Sequence, residues 1–179
     1  NEAAALSVSA TVLGRCDGVA PVLRSGACSG DAICVTGTFG GAWRSDRHLH
    51  FTPRIREARE LARRVEVHAM IDVSDGLAAD LGHICEASGA AAEIDAAAVP
   101  IDPAARTAED PLAAALQDGE DYELLFTCPP DAAERLAREG VCGTPVTVIG
   151  RVTDGDGLTL LRDGRAEPLP SAGWEHGSG

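Results

Sequence analysis

A chain of 179 residues, 45% of them hydrophobic, has the apolar material for one good-sized domain, or one domain and part of another, and is not a disordered polypeptide. Its net charge of −13 excludes nucleic acid and anionic membranes as natural partners, and no apolar run approaches the roughly 18 residues of a membrane-spanning helix. All 15 basic residues are arginine, so any phosphate this chain holds is held without lysine.

Six cysteines (Cys16, Cys28, Cys34, Cys85, Cys128 and Cys142) show no CxxC pair or other metal-ligand spacing and read mostly as reduced core thiols. With no signal peptide in Asn1-Glu2-Ala3, the expected location is cytoplasmic.

In chain order, Leu6–Gly14 alternates at period two and predicts a strand, one that lacks an earlier partner. Pro21–Ala27 is a turn-rich connector carrying Arg24, a solvated loop residue or a planar guanidinium suited to a phosphate. Asp31–Thr38 predicts a second strand, and Gly37, Gly40 and Gly41 after it read as a turn. His48 and His50 fall in a short basic link and read as surface residues. Arg54–Val67 places Ile55, Ala58, Leu61, Ala62 and Val65 on one helical face, with its charges on a solvated face.

The stretch Met70–His83 is the most informative. It starts apolar, passes through Asp72-Val73-Ser74-Asp75-Gly76, and then sets Leu77, Ala78, Leu81, Ile84 and Cys85 on one face of a helix that Gly89 ends. Asp72, Ser74 or Asp75 could simply cap that helix, since their side-chain oxygens accept from first-turn N–H groups. They could instead hold Mg²⁺, which takes one or two carboxylates and bridges to a phosphate seated on the helix N-terminus.

Ala91–Asp95 predicts a short strand, and Val99–Leu116 one loose helix with loops. Gln117–Glu123 gathers four acids around Gly119 and leads into the apolar strand Leu124–Cys128. It is either an acidic hairpin loop or part of a site. Asp131–Gly140 predicts a helix with Ala132, Leu136 and Ala137 inward, and Val146–Val152 a strand. Leu158–Arg162 and Arg165–Leu169 predict a hairpin around Asp163-Gly164. Helices and strands mix without regular βαβ alternation, so the expected class is α+β, a mixed sheet packed with helices.

Taken together, Val22–Ala27, Gly30–Thr38, Ala69–Leu77 with Asp80–His83, Gly119–Thr127, Ile149-Gly150 and Gly173–His176 resemble the thiamine-monophosphate kinase family. That family belongs to the superfamily of aminoimidazole-ribonucleotide synthetase and selenophosphate synthetase. Order and spacing agree from about Ser7 to His176, and the pairing of the two acidic motifs is the specific part. The family's glycine pair is Asp118-Gly119 here, and the Phe39–Arg47 segment is short for the family, so that a helix there is expected to be lost.

The resemblance implies the C-terminal α+β domain over 19–179, with 1–18 as the last strand of a mostly missing N-terminal α/β domain. It implies ATP-dependent phosphorylation of thiamine monophosphate to thiamine diphosphate, with ATP as co-substrate and Mg²⁺ as cofactor, and homodimer formation in the full-length protein. By position, Asp72 and Asp75 would bind Mg²⁺, Ser74 and Arg24 would meet ATP, and Glu120 and Trp174 would hold thiamine monophosphate. The isolated chain is expected to be inactive, because the family's N-terminal aspartates have no counterpart in it. A catalytically inactive binding or regulatory module, or another ATP-dependent small-molecule enzyme of the superfamily, is the alternative.

Overall fold

The computed structural model describes residues 8–13, 18 and 20–170. Seven strands form one sheet: β1 (Ala32–Thr36), β2 (Ala69–Asp72), β3 (Ala91–Asp95), β4 (Leu124–Cys128), β5 (Val146–Thr153), β6 (Leu158–Arg162) and β7 (Arg165–Leu169). Their order is β2-β4-β1-β5-β3-β6-β7, and every neighbouring pair is antiparallel except β3 with β6. The helices are α1 (Ile55–Arg64), α2 (Leu77–Ser88), α3 (Pro111–Gln117) and α4 (Pro130–Glu139). The α+β class expected from the sequence is therefore what folds.

Strand β1 is buried at every position because the sheet is covered on both faces. Ile33 and Val35 pack into a cluster with Leu77, Leu81 and Ile84 of α2. Ala32 and Cys34 pack oppositely, with Leu61 of α1 and Leu136 of α4. Each fully buried Leu or Ile contributes about 1.5–3 kcal/mol relative to an exposed one, so the few large side chains of this Ala-rich core carry most of it.

Helix α2 buries the face its periodicity predicts and stops at Gly89, whose left-handed backbone (φ 64°) forms the C-cap. The Asp163-Gly164 turn closes the β6–β7 hairpin with both residues at positive φ, as a two-residue type I′ loop requires.

Three expectations are corrected. The opening strand is not formed over 8–13, the described part of Leu6–Gly14; Val8, Val12 and Leu13 stand exposed there, and period-two alternation builds no strand without a neighbour. On α1, Ile55 is exposed, whereas Glu57 is buried and accepts a hydrogen bond from the Thr144 hydroxyl at 2.9 Å, so its charges are not all solvated. On α4, Ala133 rather than Ala137 turns inward with Leu136. The 99–116 segment forms loops and one short α-helix late, α3, as expected, and its cap Asp110 accepts from the N–H groups of Leu112 and Ala113.

Phe39–Arg47 forms turns rather than an α-helix. Among the described residues no helix is long and apolar enough to cross a membrane, and five cysteines are free thiols, Cys34, Cys85 and Cys128 buried.

Candidate active site

The two acidic motifs are zipped together by backbone. Asp72 ends β2 in register with Leu124 of β4. Past the strand the ladder continues irregularly: Val73 N–H donates to the Glu123 carbonyl, Tyr122 N–H to the Val73 carbonyl and Glu120 N–H to the Ser74 carbonyl, each at 2.8 Å. Gly119 makes the closest approach possible. A Cβ there would stand 2.3 Å from the Ser74 carbonyl oxygen. Gly119→Ala is therefore expected to push the motifs apart and to cost about 1–3 kcal/mol, as overpacking does. Urea unfolding measures it, and an unchanged midpoint would show that the loop yields freely.

The capping role proposed for Asp72, Ser74 or Asp75 is taken by another residue. Gly76 is the N-cap of α2 and makes no side-chain cap bond. Asp80, buried in the first turn, reaches back to accept from the N–H groups of Ser74 and Asp75 at 3.0 and 3.1 Å. Burial pushes its carboxyl up to about 6, against the pull of those two bonds. Two N–H groups that a phosphate could have used are thus already occupied. The Asp72 and Asp75 carboxylates stand exposed, and among the described residues neither has a hydrogen-bond or ion-pair partner. Carboxylate oxygens of Asp75 and Asp80 and a ring nitrogen of His83 lie within 4.8 Å of one another.

On the facing loop, Glu120 and Tyr122 both adopt left-handed backbone, φ 68° and 51°. This conformation costs an L residue about 1–2 kcal/mol, and the loop's contacts hold it. The Tyr122 hydroxyl donates to Glu120 Oε2 at 2.8 Å. Its ring stacks on Phe51 with centroids 4.1 Å apart and planes 19° apart. Burial, the Glu120 carboxylate and the fields of Asp72 and Asp75 push the phenol up to about 12, so it remains a donor. A cavity of about 220 Å³ opens beside this pair, with Phe51, Arg54, Asp72 and Tyr122 in its lining.

Beneath the loop lies an ionic knot that sequence reasoning missed. Glu123, 1% exposed, accepts from Thr36 Oγ1 at 2.7 Å, from Arg54 Nε and Nη2 at 2.8 and 2.7 Å, and from Arg47 Nη1 at 3.3 Å. The bidentate contact with Glu123 holds the Arg54 guanidinium's pKa above its ordinary value. Asp121, also buried, accepts from Gly40 N–H at 2.8 Å and Arg47 Nη2 at 2.7 Å, while burial pushes its carboxyl up to about 6. The signal was the alternation in Glu120-Asp121-Tyr122-Glu123, where Asp121 and Glu123 turn inward and Glu120 and Tyr122 turn toward the Asp72 side.

Of the six sequence-predicted site residues, the fold brings Asp72, Ser74, Asp75 and Glu120 together. Arg24 is exposed in the segment tied to β2 by the Met70 N–H to Leu23 carbonyl bond, and makes no contact with those four among the described residues. Trp174 lies outside the described residues.

A mixed sheet covered on both faces, with an acidic strand-to-helix turn locked to an acidic loop, defines a class. Residues 29–163 match the family described as AIR synthase related protein, C-terminal domain, and the chain belongs to that family. Its curated relatives are thiamine-monophosphate kinases, as the sequence resemblance indicated. That of Rhodopirellula baltica is 39% identical over 178 residues, covering 96% of this chain and 55% of the relative. That of Escherichia coli K12 is also 39% identical, covering 86% of this chain and 54% of the relative.

The chain thus spans about half the length of the curated relatives it matches. Among solved structures, thiamine-monophosphate kinase from Stenotrophomonas maltophilia K279a superposes with a TM-score of 0.67 at 36% identity, over 82% of this chain and 54% of that one. AaThiL complexed with AMPPCP and TMP superposes with a TM-score of 0.72 at 30% identity, over 87% of this chain and 54% of that one. The hydrogenase maturation protein HypE of E. coli, 22% identical with a TM-score of 0.69, shares the fold.

Proposed function

We propose that this chain forms the nucleotide- and substrate-closing part of a thiamine-monophosphate kinase, which transfers the γ-phosphoryl group of ATP to the phosphate of thiamine monophosphate. The observation that carries the reading is the backbone lock between Asp72–Asp75 and Gly119–Glu123, which sets beside Glu120 two carboxylates that have no hydrogen-bond or ion-pair partner among the described residues. A kinase relative bound to AMPPCP and TMP supports the ligand pair. By the same reading residues 1–18 end a preceding domain, and the free thiols fit a cytoplasmic enzyme.

Asp72 and Asp75 suit Mg²⁺: they offer hard carboxylate oxygens on an exposed turn, and among the described residues neither is ion-paired. Bound there, Mg²⁺ would supply neutralisation of phosphate charge, the main demand of phosphoryl transfer. The chain's own residues do the positioning. Ser74, half-buried and lying in sequence between the two aspartates, offers its hydroxyl to the nucleotide, and the exposed Arg24 offers a planar guanidinium for its phosphates. Glu120, with Oε2 engaged by Tyr122, keeps Oε1 for the cationic substrate. Trp174 offers a face for the same charge.

The test is Glu120→Gln in a chain extended by an N-terminal half of the relatives' kind. A charge-assisted contact is worth about 1.5–3 kcal/mol, so KM for thiamine monophosphate should rise more than about tenfold while KM for ATP holds. An unchanged substrate KM would reduce Glu120 to a loop acid.

A further inference from the structure

Far from the acidic motifs, at the opposite ends of β1 and β2, three ligand-type side chains converge. The Cys28 sulfur, an Asp31 carboxylate oxygen and a His68 ring nitrogen all lie within 4.8 Å of one another. We infer that Cys28, Asp31 and His68 form a binding site for a borderline-soft divalent metal ion of the zinc type, distinct from the Mg²⁺ ligands.

The ligand set makes the choice of ion. One thiolate, one imidazole and one carboxylate suit zinc in tetrahedral coordination, with water in the fourth position, and do not suit Mg²⁺ or Ca²⁺, which take oxygen alone. The three are also held on rigid parts of the fold. Asp31 directly precedes β1 and is only 4% exposed; its Oδ2 accepts the Cys28 N–H at 2.9 Å, while the Asp31 N–H donates to the Cys28 carbonyl at 3.0 Å. That tight turn is tied to β5, where Val152 N–H donates to the Asp31 carbonyl at 2.8 Å. His68 directly precedes β2 and is fixed by its N–H to the Thr127 carbonyl at 2.9 Å.

Gly26 lets the two segments meet, since a Cβ there would stand 2.8 Å from the His68 carbonyl oxygen.

The histidine supplies an independent indication. Its Nδ1 faces the cluster, 2.8 and 2.9 Å from the two Asp31 oxygens, and its Nε2 faces the Glu66 carboxylate at 3.6 Å. Metal-bound histidines commonly present their second nitrogen to a carboxylate in this way, which fixes the ring and raises its basicity. An Asp–His pair alone would not call for a thiol beside it. Cys28 is exposed, which gives the ion an entry path.

Binding releases the Cys28 thiol proton to solvent, and His68 binds through an unprotonated Nδ1 with its ring proton on Nε2, the nitrogen that faces Glu66. Thiolate, carboxylate, neutral imidazole and a divalent ion then sum to zero charge, in a chain whose net charge of −13 already favours cations.

The experiment uses the purified 179-residue chain after chelator treatment, with Co²⁺ as the spectroscopic probe and Zn²⁺ as competitor. One equivalent of Co²⁺ should produce a thiolate-to-cobalt charge-transfer band that Zn²⁺ abolishes and Mg²⁺ leaves in place. Cys28→Ser should remove the band, and Cys142→Ser, at the other exposed thiol among the described residues, should keep it. Glu66→Gln, outside the first ligands, should weaken Zn²⁺ by about 10–100-fold, the usual cost of losing an outer partner. No band, or a band that survives Cys28→Ser, would overturn the site. A band that is lost equally in Cys142→Ser would also overturn it.

Discussion

Asp72→Asn and Asp75→Asn are each expected to lower turnover of thiamine monophosphate by orders of magnitude, while the melting temperature stays within about 2 °C of the parent's. The expectation rests on where the capping bonds go. Asp80, not Asp72 or Asp75, accepts the N–H groups ahead of α2. Removing a charge from either exposed carboxylate therefore leaves the helix start intact. A Mg²⁺ ligand cannot be replaced so cheaply, because the ion needs the negative charge as well as the oxygen. High Mg²⁺ should recover part of the activity. The measurement needs a chain extended by an N-terminal half like that of the relatives, assayed for thiamine diphosphate and melted in parallel. Lost stability with retained turnover would make both aspartates structural and remove them from the site.

What could be read from the sequence was whatever depends on local periodicity. The face of α2, the Gly89 stop and the Asp163-Gly164 hairpin follow from spacing and turn chemistry, because each is decided within a dozen residues. The pairing of the two acidic motifs came from resemblance. Their contact depends on β2 lying beside β4, a neighbour relation that no local pattern encodes. Asp80 was not singled out, since nothing local says whether such a side chain points out or curls back onto the preceding N–H groups.

Arg47 and Arg54 were missed for a similar reason. An arginine beside a histidine link, or at the start of a charged helix, reads as solvated unless its distant partner is known, and Glu123 is 69 residues from Arg54. The inward turn of Asp121 and Glu123 was in principle legible as alternation, but four acids in seven residues obscured a period of two. Aromatic pairing was hidden too, because Phe51 and Tyr122 meet only through the fold.

Glu123→Ala should have the largest effect on stability of any single change in this region. The carboxylate is 1% exposed and gathers Thr36, Arg47 and Arg54 at the ends of three separate segments. Its removal leaves two partly buried guanidinium groups without their shared counter-charge. It also deprives the Thr36 hydroxyl, which accepts the Leu124 N–H at 2.9 Å, of its own acceptor. Breaking a buried pair from one side costs about 3–5 kcal/mol, for a chain of this length a drop of about 6–20 °C in melting temperature. Glu123→Gln keeps an acceptor for Thr36 and one arginine, and should lose distinctly less. Urea denaturation of both variants separates the charge from the hydrogen bonds. A loss below about 1 kcal/mol in Glu123→Ala, the range of exposed ion pairs, would mean that water replaces the knot and that Arg47 and Arg54 are surface charges after all.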